Sequence, residues 1–301
     1  MNRPYVPQPV LDAAHARSAA RSARDWSLAD RLRAEIEAAG WLIVDRGTDF
    51  RLEPAHPPDL EEAGGHRFGR SDAVPSRLAE PSTCPATIVL VATDFPSDLD
   101  RALAGLRAGA PAGTQIVVVA DGPSEAQAEC LPVAADGTCT RPGPEVVRTS
   151  ARLGWAAAWN IGLRLAQGEV VIYMDTSLES AGDVVTPLRA ALDVPDAAVV
   201  GPAGFLSQDL RRFSETTVAG AAAAIDGALL AFRRIDGAAA GVGVVPRGAV
   251  VLPGLPFNRH DHRGCEFGPA AERNRLSKRN FYRFVDRFHD RSDLAVSGRL
   301  G

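Results

Sequence analysis

The spacing of apolar residues changes along the chain, and the change is clearest after residue 86. Continuous apolar runs, typical of strands buried on both faces, occupy residues 87–92, 115–120, 170–174 and 197–200. Apolar residues at helical spacing occupy the segments between these runs, at 98–107, 156–166 and 188–192. This alternation predicts right-handed crossovers and an α/β fold with a mostly parallel sheet flanked by helices.

The first 55 residues have a different pattern, which predicts a helix followed by a β-hairpin. Residues 11–40 are interpreted as helix, because Leu28, Leu32 and Ile36 share one helical face and Gly40 is a typical residue just beyond a helix end. Two short strands at 41–45 and 50–52, separated by a turn, complete this unit.

Two further segments flank the predicted sheet. Residues 56–85 are rich in Pro, Gly and charge, which is typical of an extended linker. Residues 269–294 read as one amphipathic helix with a Phe-rich stripe and Arg on much of the remaining surface. It either packs by its Phe face or contacts an anionic lipid surface. The predicted division is therefore 1–55, 56–85, 86–255 and 256–301.

Composition narrows the function classes. The net charge of −4 and the pI near 5.9 argue against general nucleic-acid binding, so no nucleic-acid partner is expected. Neither a signal peptide nor an apolar run of bilayer length is found, so we expect a cytoplasmic protein without a transmembrane segment. The four cysteines, with no Cys-x-x-Cys pair, are interpreted as free thiols; the alternative is a disulfide between Cys130 and Cys139.

Polar residues follow the predicted parallel strands where each strand ends. They are Thr93 and Asp94, then Asp121, then Asp175 and Ser177. Ligands of open α/β sheets bind at these carboxyl ends, so we expect the residues to meet at one rim. Asp121 is explained about equally well as a turn residue or as an acceptor for a ribose hydroxyl or a base N–H.

The segment from 153 to 175 resembles the core of family 2 glycosyltransferases. The resemblance lies in Gly154, in Asn160-Ile-Gly162, in Ala166-Gln-Gly168, and in the strand that ends at Asp175. It implies a GT-A fold, the fold of nucleotide-diphospho-sugar transferases, with a nucleotide-diphosphate sugar donor and inversion by direct displacement. By position, Asp121 would hold base or ribose, Asp175 would be the first metal-binding carboxylate, and Ser177 stands where the second is expected. The predicted nucleotide-sugar-binding residues are Thr93, Asp94, Asp121, Gly154, Asn160, Asp175 and Ser177.

Two departures from the family pattern affect the chemistry. Ser177 is a poorer ligand than a carboxylate for Mg²⁺ or Mn²⁺, so the implied divalent cation would be held weakly, by Asp175 with His260 or His262. The acidic segment that supplies the catalytic base is also missing after Arg234. The remaining candidates for the general base are Asp226, Asp236 and Asp261.

A second resemblance concerns residues 20–33, continuing to 39–45, which are similar to the extreme C-terminal tail of cysteinyl-tRNA synthetases. No aminoacylation domain accompanies this stretch, so no synthetase activity is implied. A small docking element is favoured over an RNA-binding one, since the chain is acidic.

The sequence therefore predicts a hexosyltransferase that moves a sugar from a nucleotide-diphosphate donor to an acceptor. The acceptor is a glycan, a lipid-linked molecule or a small molecule, with contact at a membrane surface left open. The alternative is a catalytically silent relative that binds a nucleotide sugar or a partner.

Overall fold

The structure is a computed structural model that describes residues 6–46, 49–62, 65–131, 143–194, 196–240 and 248–260. The chain divides into two compact units, Met1–Arg70 and Ser71–Gly301. The predicted C-terminal helix at 269–294, together with Asp261 and His262, lies outside the described residues.

The first unit contains two helices and two hairpins. Its elements are α1 (Gln8–Ser22), α2 (Trp26–Ala38), β1 (Trp41–Arg46), β2 (Asp49–Pro54), β3 (Leu60–Glu62) and β4 (Gly65–Phe68). Strands β1 and β2 pair antiparallel, as do β3 and β4. Val10, Ala14, Ile36 and Trp41 form the buried core, so the helices and the β1–β2 hairpin bury one shared apolar face.

The single helix predicted at 11–40 is in fact two. Arg24 has a φ of 61°, a left-handed conformation that interrupts the helix. The Asp25 carboxylate then accepts the backbone N–H of Leu28 at 3.0 Å and caps the start of α2. Gly40, with a φ of 82°, follows the end of α2 as predicted.

Asp45 on β1 is held by two arginines of α1, and this cluster makes the first unit sensitive to acid. Arg17 donates to Asp45 at 2.8 Å and is itself largely buried; Arg21 also pairs with it. The hydrogen bond from Arg17 is the main cause that lowers the pKa of Asp45. A lowered carboxyl pKa adds stability above the ordinary aspartate pKa of about 4, and this stability is lost as pH falls through the folded value.

We therefore expect amides of β1 and α1 to exchange faster with solvent as the pH falls below about 4, after correction for intrinsic exchange. Asp45→Asn should remove most of this acid dependence, whereas Asp12→Asn, on the same unit, should leave it unchanged. The measurement is native-state hydrogen exchange on the full chain. Equal acid dependence in wild type and Asp45→Asn would contradict the role of the cluster.

The segment predicted as a linker, 56–85, contains ordered elements. It includes β3, β4 and a 3₁₀ turn at Ser71–Ala73, and the boundary between the units follows Arg70. Gly69 donates its N–H to Asp59 at 2.6 Å, which closes the β3–β4 hairpin. The Pro and Gly residues therefore mark turns between short strands as well as extended chain.

The second unit contains most of the helices and strands. Its helices are α3 (Pro96–Gly109), α4 (Glu125–Glu129), α5 (Trp155–Leu165), α6 (Val185–Leu192) and α7 (Arg234–Ala240). Its strands are β5 (Cys84–Ala92), β6 (Gln115–Ala120), β7 (Glu145–Thr149), β8 (Gly168–Met174), β9 (Leu178–Ser180), β10 (Val199–Gly201), β11 (Gly204–Leu206), β12 (Ser214–Thr216), β13 (Gly220–Ala222), β14 (Ala224–Ile225), β15 (Leu229–Arg233), β16 (Ala249–Val251) and β17 (Phe257–Arg259).

Within this unit, eight strands form a sheet in the order β13-β16-β10-β15-β8-β5-β6-β7. Strands β5, β6, β7 and β8 are mutually parallel, whereas β15 is antiparallel to β8. Two smaller sheets have the strand orders β12-β11-β14 and β17-β9. The predicted mostly parallel α/β sheet is confirmed.

The core lies against the continuous apolar strands. Ile88, Leu90 and Ile172 are fully buried, and Leu99, Leu106 and Leu188 from the flanking helices are buried in the same cluster. Gly168 begins β8 where a Cβ would stand 2.3 Å from the backbone carbon of Ala86, so this position requires glycine. Close approach of β8 to β5 thus depends on the Ala-Gln-Gly sequence before it.

The interpretation of the cysteines as four free thiols is wrong. Cys84, the first residue of β5, is disulfide-bonded. Cys130 is a free, exposed cysteine, so the alternative Cys130–Cys139 bond is wrong too. Spacing in the sequence does not reveal which thiols meet, because only the folded chain brings distant residues together.

Among the described residues, helices of the length and apolarity required to cross a membrane are absent.

Candidate functional site

The parallel strands end at one edge of the sheet, which we call the rim: residues 93–94, 121–122, 150–154 and 175–177. Val89 of β5 is in register with Val117 of β6 and with Tyr173 of β8. Asp121 and Asp175 follow the ends of β6 and β8, so both leave the sheet at the same edge. The predicted meeting of these two residues at one rim agrees with the sheet register.

Asp121 is buried in the loop that it organises. One carboxylate oxygen accepts the N–H of Leu153 at 2.7 Å and the hydroxyl of Thr149 at 3.2 Å; the other accepts the N–H of Gly154 at 2.9 Å. The side chain is 1% exposed. This geometry positions the 150–154 loop and the start of α5. A direct contact between Asp121 and base or ribose, as implied by the resemblance, remains a prediction that this burial does not favour.

Gly122 and Gly154 let the chain make this loop. Gly122 has a φ of 50°, and a Cβ there would stand 2.2 Å from the backbone nitrogen of Arg152. Gly154 has a φ of 92° and precedes the first residue of α5. Both conformations favour glycine. At Gly122 the absence of a side chain also lets the backbone of Arg152 approach closely.

An ion pair that the sequence analysis missed spans the rim. Arg152 donates to both carboxylate oxygens of Asp94 at 2.8–2.9 Å, and the two side chains are 52% and 39% exposed. The signal that the sequence offered for this pair was Arg152, two residues before Gly154. The pair joins the loop after β5 to the loop before α5 and offers a cation at the rim.

Thr93 and Asn160 have less distinctive surroundings. The carbonyl of Thr93 accepts the N–H of Ser124 at 2.8 Å, which ties the loop after β5 to the start of α4. Asn160 lies in the second turn of α5 and is half-buried. Their predicted roles in nucleotide binding remain predictions.

Asp175 is at the turn that follows β8. Its Oδ1 accepts the N–H of Ser177 at 2.7 Å, and its own N–H donates to the carbonyl of Ala228 at 2.7 Å. Ser177 is only 6% exposed. The turn therefore joins the end of β8 to the residues that precede β15.

Asp226 lies beside this turn. One of its oxygens accepts the N–H of Ala228 at 3.2 Å, and the other is 3.5 Å from the Arg259 guanidinium. Since Ala228 also bonds Asp175, the backbone brings these two carboxylate-bearing turns together.

Asp236, the other described candidate for the base, lies at the opposite edge. Strand β15 runs antiparallel to β8, so Arg233 at its end pairs with Val170 near the start of β8. Asp236 follows in α7 and accepts from Arg233 at 3.3 Å. This separation depends on strand direction, which the spacing of residues in the sequence does not reveal.

The side chains of the described residues do not form a complete metal site by themselves. No group of three His, Cys, Asp or Glu side chains among the described residues is arranged to hold an ion. The backbone N–H of His260 donates to the carbonyl of Ser177 at 2.9 Å, but its Nε2 is 2.9 Å from the Glu179 carboxylate. Since magnesium and manganese prefer oxygen ligands, Asp175 is the remaining candidate ligand among the described residues.

Aromatic side chains connect α5 to β8. Trp159 stacks on Tyr173 with centroids 4.6 Å apart and planes 10° apart, and Trp155 meets Trp159 edge-on at 5.9 Å. Tyr173 donates its hydroxyl to the carbonyl of Trp159 at 3.0 Å, and burial raises its pKa, so it stays neutral. Trp155, at the rim end of this stack, is 50% exposed.

A cavity of about 700 Å³ lies at the edge opposite the rim, near the start of β8. Arg189, Arg233 and Arg234 line it, together with Glu80, Glu169 and Asp193. Arg233 donates to the carbonyls of Leu192 and Ala197, and Arg234 donates to those of Arg77 and Glu80. These arginines thus stabilise the ends of nearby segments, and the cavity is separate from the rim.

Comparison with known proteins identifies the segment that carries the rim. Residues 87–221 match the model of glycosyl transferase family 2. We call these residues the transferase segment; it includes Asp94, Asp121, Arg152 and Asp175, and covers a little under half of the chain.

Several solved structures are similar to part of this chain. GalNAc-T7 with UDP, GalNAc and Mn²⁺ has a TM-score of 0.50 and 17% identity, and the match covers 67% of this chain and 48% of GalNAc-T7. The mannosyltransferase PcManGT from Pyrobaculum calidifontis, with GDP-Man and Mn²⁺, has a TM-score of 0.42 and 17% identity over 62% of each chain. S. aureus TarS 1–349 with UDP-GlcNAc has a TM-score of 0.47 and 11% identity over 66% of each chain. At 17% identity the likeness to GalNAc-T7 concerns the fold alone.

A curated cysteine–tRNA ligase from Opitutus terrae is 50% identical over 50 residues. That match covers 17% of this chain and 11% of the ligase. It gives limited support to the predicted resemblance of residues 20–45 to a synthetase tail. The chain therefore covers less than two thirds of the length of each of these four proteins.

Proposed function

We propose that this protein transfers a sugar from a nucleotide-diphosphate donor to an acceptor hydroxyl at the rim. The observation that carries the proposal is the position of Asp175, directly after the inner strand β8, within a segment that matches family 2 glycosyl transferases. Similar solved structures are complexes with GDP-Man and with UDP-GlcNAc, so we propose both as donors to test.

The proposed reaction is a direct displacement with inversion. The acceptor oxygen forms a bond to the anomeric carbon while the bond from that carbon to the diphosphate breaks, and the nucleoside diphosphate leaves with its electron pair. The hydroxyl proton goes to a carboxylate, for which Asp226 is the described candidate beside Asp175.

Titration with UDP and GDP, with and without Mn²⁺, tests the donor half of the proposal. We expect binding of at least one nucleotide, followed by slow hydrolysis of the matching sugar donor. Absence of affinity for every nucleotide tested would remove the proposal. Nucleotide binding without either hydrolysis or transfer would favour the alternative, a silent relative, which is motivated by the buried Ser177 in place of a carboxylate.

Arg152 is the side chain that we assign to the departing diphosphate. Its bond to Asp94 is exposed, and exposed ion pairs contribute little to stability, so a more highly charged diphosphate can replace the carboxylate. Cationic side chains stabilise charge that develops on a leaving group, which is the role that a metal serves in other sites.

We expect Arg152→Gln to weaken binding of UDP or GDP about tenfold, since a hydrogen bond between charged groups contributes about 1.5–3 kcal/mol. Binding of UMP or GMP should change much less, because the terminal phosphate is missing. Arg189→Gln is the matched control, as Arg189 forms an exposed pair with Glu169 at the opposite edge. Isothermal titration calorimetry measures the wild type and both variants. An equal loss for monophosphates and diphosphates would contradict the assignment.

A further inference from the structure

The rim end of α5 presents an exposed aromatic ring that the donor chemistry does not use. Trp155 is the first residue of α5 and is 50% exposed. Ligand sites are lined mainly by apolar and aromatic side chains with a few polar groups beside them, and the rim offers both. Here the neighbouring Gly154 is fixed by its bond to Asp121.

The position of the Trp155 ring is also fixed by its aromatic neighbours. It contacts Trp159 one helical turn later, and Trp159 stacks on Tyr173, which is 1% exposed. Tyr173 in turn contacts Phe232 of β15 at 5.3 Å. A ring that rests on a buried stack loses little freedom when a ligand binds, which favours recognition.

The same stack places Trp155 on the side of the rim that carries Asp175 and Asp226. A Cβ built on Gly227 would stand 3.3 Å from Cη2 of Trp159, and Gly227 follows Asp226 directly. Trp155 and Trp159 are four residues apart and therefore lie on the same face of α5. The exposed ring thus belongs to the β8–β15 side of the rim, whereas Thr93 and Asp94 lie on the β5–β6 side.

We propose that Trp155 forms the acceptor subsite and binds the flat C–H face of a pyranose ring. The acceptor is accordingly a saccharide. This inference rests on the proposed sugar transfer. The C–H bonds of a pyranose carry partial positive charge and are attracted to the negative face of the indole. The hydroxyl groups on the edge of the pyranose ring then remain free to reach Asp226, which can accept a hydrogen bond or a proton. The Asp226 carboxylate is held in place by the N–H of Ala228 and by Arg259.

Saturation-transfer NMR tests the subsite with methyl β-glucoside, methyl α-mannoside and methyl N-acetyl-β-glucosaminide as probes. The full-length protein is used with and without saturating UDP or GDP. We expect transfer to the ring protons of at least one glycoside, and none to sorbitol, an open-chain polyol without a flat ring face. In Trp155→Ala the signal should fall about fivefold or more, the size expected for one lost ring contact, with partial recovery in Trp155→Phe.

Trp26→Ala is the matched control, because Trp26 is also exposed, at 58%, but belongs to the first unit. It should leave the glycoside signal unchanged. Thermal unfolding of each variant checks that Trp155→Ala is folded, and nucleotide affinity in that variant should stay within about twofold of wild type, because one exposed ring contributes to the acceptor alone.

The outcomes separate this inference from the proposed function. Equal glycoside signals in wild type and Trp155→Ala, or no glycoside signal in wild type, would overturn the subsite. Loss of nucleotide affinity in Trp155→Ala with glycoside binding intact would reassign the ring to the donor and also overturn it. Failure of wild type to bind any nucleotide, with Trp155-dependent glycoside binding, would instead remove sugar transfer while leaving the saccharide subsite in place.

Discussion

Replacing Asp175 by asparagine should lower the rate of donor hydrolysis or sugar transfer by about 100-fold or more, the usual cost of removing one charged group that acts on the transition state. The substitution keeps the size of the side chain. It also keeps an oxygen that can accept the N–H of Ser177, now 2.7 Å from Oδ1, so the turn after β8 should fold. What is lost is the negative charge, which can stabilise the positive charge that develops at the anomeric carbon while the diphosphate leaves.

The measurement is the steady-state rate with the donor that the nucleotide titration selects. Asp236→Asn is the matched control, since it makes the same chemical change in α7 at the opposite edge of the sheet. That variant should keep its activity within about twofold of wild type, as expected for a surface change remote from the site. An Asp175→Asn protein as active as wild type would show that the rim carboxylate has no part in the reaction.

The second large effect concerns stability and involves Asp121. In Asp121→Ala the N–H groups of Leu153 and Gly154 lose their acceptor in a part-buried loop. Each unpaired buried group costs about 1–3 kcal/mol, so the free energy of unfolding should fall by about 3 kcal/mol. Nucleotide affinity should fall as well, because Arg152 lies in the released loop.

Urea unfolding at constant protein concentration measures the loss. Asp94→Ala removes an exposed carboxylate from the same rim, and its free energy of unfolding should change by less than about 1 kcal/mol. Hydrogen exchange at Leu153 and Gly154 gives a local readout, with faster exchange expected only in Asp121→Ala. If the two variants unfold at the same urea concentration, the carboxylate of Asp121 does not hold the loop.

The sequence predicted the strands and helices better than the turns between them. The apolar runs at 87–92 and 115–120 predicted β5 and β6 closely. A strand that is buried on both faces has apolar residues at consecutive positions, which is a local signal. The break between α1 and α2 was missed, because a single residue in a left-handed conformation, Arg24, leaves no periodic signal. Elements are local, and so they were predicted better than the turns that separate them.

The candidate site was predicted in part for the same reason. Asp121 and Asp175 were found because each directly follows a strand. Other features join residues that are not neighbours in the sequence. They are the hydrogen bond from Leu153 to Asp121, the Arg152–Asp94 ion pair and the disulfide of Cys84. No pattern within one segment reports such partners.

Sequence alone determined the inner strands β5, β6 and β8, their parallel direction, the helices α3, α5 and α6, and the carboxylates that follow the strand ends. These features depend on local spacing and on the handedness of crossovers. The tertiary structure decided what those carboxylates do. Strand direction put Asp226 beside Asp175 and Asp236 at the far edge, and burial turned Asp121 toward the backbone of its own loop. The physical reason is that the direction of β15 and the solvent exposure of a side chain are set by packing among distant residues.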